Sequence, residues 1–391
     1  MDFNEQIDRR QTDSIKWDTA ETVFDTKDIL PMWIADMDFA SPQPIKEALK
    51  KVIEEEILGY SYPGDSLLNA IRNWQKDKHN MLIEKDHILL SPGVLSSIAV
   101  TIAALTEPGD SVLIHDPVYP PFYAMPEKNN RQIYRSPLII SDGRYEMDFD
   151  NIEQQFKEKN IKLFILSQPH NPGGRIWSKE ELVRLTDLCI HYGVTLISDE
   201  IHSDLVYSGN TCISPVTIDE TYKDWIVTLH SATKTFNIAG VKASFMIVFN
   251  KKLRDQIVKV QEETELGIVN TFGMRATEAA FSDSREWHEA LLLKLEANRD
   301  IVTAYFDENL PSISYMKPES TYLFWFNASQ LGVEHDVLRK TFAKIGKIGL
   351  NDGISYGPSG GAYMRLNFAV PESLLMEGLD RIKLVFDHFN K

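Results

Sequence analysis

Ser231-Ala232-Thr233-Lys234-Thr235-Phe236-Asn237-Ile238-Ala239-Gly240-Val241-Lys242 is the stretch on which the reading of this chain turns. An apolar segment, Trp225-Ile226-Val227-Thr228-Leu229, leads into it, and a second, residues 243–249, leaves it. Both have the continuous hydrophobicity of strands buried on two faces. A lysine at the mouth of a buried strand is partly desolvated, which lowers its pKa toward the range where the free amine attacks a carbonyl. Ser231 and Thr233 offer hydroxyls and Lys242 a charge, a set suited to an anion such as phosphate. Taken alone, the stretch also reads as a surface lysine in a Ser/Thr-rich loop.

Outward from it, short apolar strands alternate with helices, the pattern of an α/β domain. Strands are expected at 87–90, 111–115, 131–135, 161–166 and 194–198; with the two segments flanking Lys234 they make about seven. In an open sheet of this kind, ligands bind beyond the carboxyl ends of the strands. The unusual residues cluster there. Gly93-Val94-Leu95 opens a helix, where free N–H groups and the helix dipole hold a phosphate. Asp199 ends a strand and suits a pyridine nitrogen, which a carboxylate keeps protonated so that the ring accepts electrons. Asn171, ahead of Pro172-Gly173-Gly174, suits a phenolic oxygen, and Tyr119 can stack on a flat ring. Arg365 carries the planar fork that matches a carboxylate. Each has an ordinary reading as well: a turn, a helix cap, a core corner, a structural ion pair. Together, in this order, they describe a pyridoxal phosphate site.

The flanks are less eventful. Residues 1–30 read as an extended arm, 31–39 as a compact apolar stretch with two aspartates, and Ser41-Pro42 as the cap of a helix over 45–57. A helix is expected at 65–79 and a variable loop over 136–160. Past about 285 come a helix over 287–308, a strand at 320–326, a helix at 335–345 and a last helix over 372–390. The expected division is 1–45 as an arm with part of a small domain, 46–284 as a large cofactor-binding domain and 285–391 as a small C-terminal α+β domain. Tyr123, Tyr322 and Tyr356 are aromatic candidates for a side-chain pocket.

Composition narrows the class. A net charge of −16 over 391 residues, with no basic run, argues against nucleic acid or an anionic membrane as partner. No apolar run approaches the roughly 20 residues of a membrane span. The polar start, residues 1–10, has no signal-peptide core. Cys189 and Cys212 make neither a disulfide framework nor a metal site, and a reducing cytoplasm is the expected compartment.

With these residues in hand, the chain resembles the fold-type I pyridoxal phosphate enzymes of the aminotransferase class I/II superfamily over nearly its whole length. Within that superfamily it is similar to the cystathionine β-lyase, or C–S lyase, branch of the MalY/PatB type. The motifs that carry the closer likeness are Pro-Met-Trp-Ile-Ala-Asp-Met-Asp-Phe at 31–39, Gly-Tyr-Ser at 59–61, Ser-Pro-Gly-Val-Leu at 91–95 and Asp-Pro-Val-Tyr-Pro-Pro-Phe at 116–122. Pro-His-Asn-Pro-Gly-Gly at 169–174, Ser-Asp-Glu-Ile-His-Ser-Asp-Leu-Val at 198–206 and Ala-Thr-Lys-Thr-Phe-Asn-Ile-Ala-Gly at 232–240 complete the set. The resemblance implies a mostly parallel seven-stranded sheet and a β-lyase acting on cystathionine, cysteine or their S-conjugates. It implies that Lys234 bears the cofactor, Asp199 pairs with the ring nitrogen, Asn171 meets the phenolic oxygen and Tyr119 stacks on the ring. The phosphate falls to the amides of Gly93, Val94 and Leu95, to Ser231, Thr233 and Lys242, and to Tyr60 of a neighbouring subunit in a homodimer. Arg365 would bind the substrate carboxylate, beside Asn171 and Tyr119. Two positions depart from the wider aminotransferase pattern: His202 stands where tyrosine is usual, in keeping with the lyase branch. Lys242 stands where arginine is usual, a point charge in place of a fork.

Overall fold

The computed structural model describes residues 2–55 and 57–389. Seven strands form its main sheet: β1 (Ile88–Ser91), β2 (Ser111–Asp116), β3 (Gln132–Pro137), β4 (Ile161–Ser167), β5 (Thr195–Asp199), β6 (Ile226–His230) and β7 (Ser244–Ile247). Their order across the sheet is β1-β7-β6-β5-β4-β2-β3. Only β7 is antiparallel to its neighbours, so six strands run one way and end at one edge. The strands fall within a residue or two of the expected positions.

Period-two alternation explains why these strands are apolar throughout. Ile114, Ile165, Ile197, Leu229 and Met246 point to one face, where they meet Ile98 and Phe122. Leu113, Phe164, Leu196, Ile226 and Phe245 point to the other, where Trp74, Leu182 and Phe281 cover them. A sheet buried on both faces has no polar side to encode.

A second sheet comprises β8 (Tyr315–Met316), β9 (Leu323–Asn327), β10 (Asn351–Asp352) and β11 (Tyr363–Asn367), in the antiparallel order β8-β9-β11-β10. The helices Arg285–Asn309 and Glu372–Phe389 belong to the same half of the chain. Phe306 of the first packs edge-on against Phe324 and Phe326, with ring centroids 4.9 and 5.2 Å away. Residues 30–39 join the two sheets. Leu30–Pro31 pairs in parallel with Ile348–Gly349, and Asn367 Nδ2 donates to the carbonyls of Ile34 and Asp36. Farther along, Asn237 Nδ2 donates to Met37 O and Phe39 O.

Several expectations need correction. The presumed extended arm contains two helical turns, Ile15–Asp18 and Ala20–Phe24; Ser14 Oγ caps the first, accepting from the amide of Trp17. The presumed loop at 136–160 holds a hairpin (Ile139–Ser141 with Arg144–Glu146) and the helix Phe149–Lys159, capped by Asp148. Ser41 is not a cap: its hydroxyl donates to Asn237 O, and the helix Gln43–Glu54 begins on proline geometry alone. The helix expected at 335–345 is α-helical over His335–Thr341 and then widens into a π turn, Phe342–Gly346. Asn390, expected in the last helix, lies outside the described residues. Ser178 caps the helix Lys179–Tyr192, in a reciprocal box with Glu181. Among the described residues no helix is long and apolar enough to cross a membrane.

Candidate active site

The carboxyl ends of β2, β4, β5 and β6, the loop after β1 and the face of β11 open onto one cavity of about 630 Å³. Lys234, Asp199, Asn171, Tyr119, His202, Thr233, Lys242, Arg365 and the Gly93-Val94-Leu95 turn all line it. Residues scattered over some 270 positions of sequence thus share one wall because strand ends share one edge.

Lys234 sits in the short helix Ala232–Thr235 that follows β6. Its Nζ donates to the carbonyl of Ala35, which also accepts from Tyr322 Oη at 2.9 Å. Burial, with help from the nearby charges of Arg365 and Lys242 against that of Asp36, brings the amine down to about 8. Roughly a tenth is therefore free base at neutral pH, far more than for a solvated lysine, as a carbonyl-directed nucleophile needs.

Asp199 is the buried terminus of β5. One carboxylate oxygen accepts from the amide of Ile201 at 3.1 Å, and among the described residues no cation is within ion-pair distance of it. Burial pushes its pKa up to about 7, with the Ile201 amide and Lys234 pulling the other way. A lone buried acid is a cost to the empty fold and an asset once a cationic ring nitrogen meets it. Protonation favours the folded state, so Asp199's contribution is greatest below the ordinary carboxylate range and is lost as pH rises through 7. Asparagine does not titrate. Cofactor-free Asp199→Asn should therefore gain on cofactor-free wild type as pH rises from about 5 to about 8, by roughly 2 kcal/mol. Thermal melts at the two pH values check this, and a gap that stays constant contradicts it.

At the other end of the cavity, Gly93 precedes the helix Val94–Leu105 with no side chain capping it. The amides of Val94 and Leu95 accordingly face the pocket as first-turn donors. A Cβ at Gly93 would meet nothing within 4 Å, so the backbone leaves open space where an anion fits. Thr233 and Lys242 stand on the same wall. Ser231 does not. Its hydroxyl donates to Ala243 O at 2.7 Å, and its oxygen accepts from the amide of Thr233, which leaves it set behind the wall it was expected to line.

Asn171 is held by a tightly packed loop. Gly174 adopts a left-handed φ of +68°, and a Cβ there would stand 2.9 Å from Pro318, so only glycine lets the loop close. Asn171 Oδ1 accepts from Arg365 Nη1 at 3.1 Å. Arg365 Nη2 donates to Trp33 O and Asn351 Oδ1, both at 2.9 Å, and the guanidinium lies over the Tyr356 ring at 5.1 Å. Its Nε is buried with no hydrogen-bond partner among the described residues, a spare donor of the kind a carboxylate satisfies. Tyr119 is half-buried; burial, aided by Asp199 and opposed by Arg365, raises its phenol. His202 is buried and neutral, driven down to about 3 by burial and by the charges of Lys234 and Arg365. Such a ring acts as a polar neighbour and not as a charge.

The residues present fit pyridoxal phosphate: an uncompensated acid for its nitrogen, a depressed amine for its aldehyde and open helix amides for its phosphate. Tyr60 lies apart, fully exposed and off the pocket wall of its own chain. Tyr356 lines the cavity, whereas Tyr322 stands behind it on Ala35 O and Tyr123 Oη donates to Ser355 O. Sequence reasoning missed Trp33 and Ala35, whose contributions are backbone carbonyls, and Asn351, which steadies Arg365.

Comparison with known proteins agrees with this geometry. Cystathionine beta-lyase PatB of Bacillus subtilis (strain 168) is 39% identical over 383 residues, covering 98% of this chain and 99% of that protein. The crystal structure of cystalysin from Treponema denticola, which contains a pyridoxal 5'-phosphate cofactor, superposes with a TM-score of 0.96 at 32% identity over 99% of each chain. The PLP-bound C-S lyase from Staphylococcus hominis gives 0.92 at 32% identity over 98% of each. The expected α/β fold of type I is thus the fold observed. The profile of aminotransferases class I and II matches residues 27–382, and the chain belongs to that family.

Proposed function

We propose that the protein is a pyridoxal phosphate-dependent β-lyase that cleaves the Cβ–S bond of cystathionine, cysteine or related cysteine S-conjugates, releasing a thiol, pyruvate and ammonia. One juxtaposition carries the reading: a depressed lysine and an unpaired buried acid share a pocket with an arginine that has a donor to spare. Relatives named as cystathionine β-lyase and C-S lyase over the full length support the choice of reaction.

Pyridoxal phosphate, when bound, supplies an electron sink for the pair left at Cα. Arg365 takes the substrate α-carboxylate, and Asn171 keeps the guanidinium turned toward it. Lys234 would hold the cofactor in the resting enzyme and, as a free amine, would remove the α-proton as general base. Asp199 holds the proton on the ring nitrogen, the condition for the sink. The thiolate then leaves Cβ, and the aminoacrylate product hydrolyses to pyruvate and ammonia. Tyr119 or a water protonates the departing sulfur. Thiolate leaves readily, so elimination outruns the proton return that transamination requires.

The reading includes a homodimer in which Tyr60 reaches the partner's phosphate. Ile57, Leu58, Tyr60 and Tyr62 form an exposed apolar run that a second copy would cover. Purified enzyme given L-cystathionine and no keto acid should release pyruvate steadily. A requirement for added keto acid would make it an aminotransferase on this scaffold and overturn the proposal.

A further inference from the structure

The stretch 31–39 contributes two backbone carbonyls to the site, and neither of its two aspartates is among the residues that line it. They face the other way, into a cluster. Lys16 is completely buried; its Nζ donates to Asp38 Oδ2 at 2.9 Å and to Asp36 O at 3.1 Å. Arg9 bridges the same two acids, at 2.6 Å to Asp38 Oδ1 and 2.9 Å to Asp36 Oδ2, and its Nη1 also reaches Met37 O at 3.3 Å. Trp17 Nε1 adds a bond to Asp38 Oδ1 at 2.9 Å. From the opposite end, Trp33 Nε1 donates to the carbonyl of Lys16 at 3.0 Å. One buried lysine therefore grips the strap Trp33-Ile34-Ala35 ahead of it through its carbonyl and behind it through its ammonium.

On its other side the strap's carbonyls accept from candidate functional groups and their supports. Trp33 O accepts from Arg365 Nη2, Ala35 O from Lys234 and Tyr322, and Ile34 O from Asn367, two positions along β11 from Arg365. We infer that the Arg9–Lys16–Asp36–Asp38 cluster positions the strap and thereby sets the orientation of Arg365 toward the substrate carboxylate. This rests on the reading of Arg365 given above. The four residues are positioning residues; none touches substrate. A buried ion pair stabilises weakly for what it costs in desolvation, so fixing a conformation is its better-attested use. Arg365 needs that service. Trp33 O is one of only three acceptors that hold its fork, and a carboxylate clamp displaced by about 1 Å loses on the order of 100-fold in rate. The N-terminal turn Ile15–Asp18 and Arg9 ahead of it, far from the chemistry in sequence, become part of the substrate-binding apparatus.

The test uses the holoenzyme and two amines that differ in one group: L-alanine, which carries the carboxylate, and ethylamine, which lacks it. Each perturbs the visible absorbance of the bound cofactor as it binds, so no turnover is read. Arg9→Gln sits at the edge of the cluster and leaves Lys16 paired. It should weaken L-alanine binding about tenfold and ethylamine binding less than about twofold, with Arg9→Lys restoring part of the loss. Lys16→Met should give the same selective effect, larger; if that chain does not fold, Arg9→Gln decides alone. Equal weakening of both amines, or unchanged L-alanine binding, overturns the proposal. A wild-type enzyme that binds ethylamine and not L-alanine refutes the Arg365 reading itself, and this inference falls with it.

Discussion

Lys234→Ala is expected to abolish turnover, a loss of roughly 10⁴-fold or more, and to remove the visible absorbance of the purified protein. The proposed mechanism gives one amine two duties. It anchors the cofactor in the resting enzyme, and it moves the proton at Cα during the reaction. Its environment suits both: burial brings it to about 8, and Ala35 O holds it at the pocket wall. Lys242 is the other lysine on that wall, yet it is exposed and itself adopts a left-handed backbone conformation, with φ of 54°. It is not placed to substitute. Assays of pyruvate release alongside the absorption spectrum check the outcome. A variant that kept both activity and absorbance would remove Lys234 from the mechanism.

Asp199→Asn is expected to cost roughly 10²- to 10³-fold in kcat, the scale seen when one preorganised electrostatic partner is lost, while the cofactor still binds. Asparagine keeps the shape and a hydrogen bond but not the charge. The ring nitrogen then loses its proton, and the electron pair from Cα has a poorer sink. The acid is suited to this task because nothing else claims it: one amide from Ile201 is its hydrogen-bond partner, and burial has already raised its pKa to about 7. Binding should survive because the phosphate end, from Gly93 to Lys242, is untouched. Cofactor titration and steady-state rates on the same preparation separate the two effects. Near-wild-type kcat in Asp199→Asn would show that the ring needs no carboxylate.

What could be read from the sequence follows from where the information resides. Strands buried on both faces have uninterrupted apolar runs, so β1 to β7 were legible, and the residues just past their ends stood out against them. Lys234, Asp199, Asn171 and Tyr119 were found in this way, and all line the cavity. Backbone acceptors leave no such mark: nothing in the side chain of Ala35 or Trp33 announces a carbonyl aimed at a lysine or an arginine. Ser231 and Thr233 are chemically alike, and only the local turn decides which one faces the pocket. The helices Lys251–Thr264 and Thr271–Asp283 went unread although Asn250 and Asn270 cap them. The first 30 residues misled because their order comes from tertiary ion pairs with Asp36 and Asp38, not from local periodicity. Tyr60 is fully exposed and off the pocket wall among the described residues, so the role proposed for it depends on a second copy.

The most direct measurement is chemical mapping of the cofactor attachment. Purified enzyme is reduced with borohydride, digested and analysed by mass spectrometry. The account predicts a pyridoxyl-phosphate adduct on the peptide containing Lys234 and on no other lysine. An adduct elsewhere, or none on protein that binds the cofactor stoichiometrically, would contradict it.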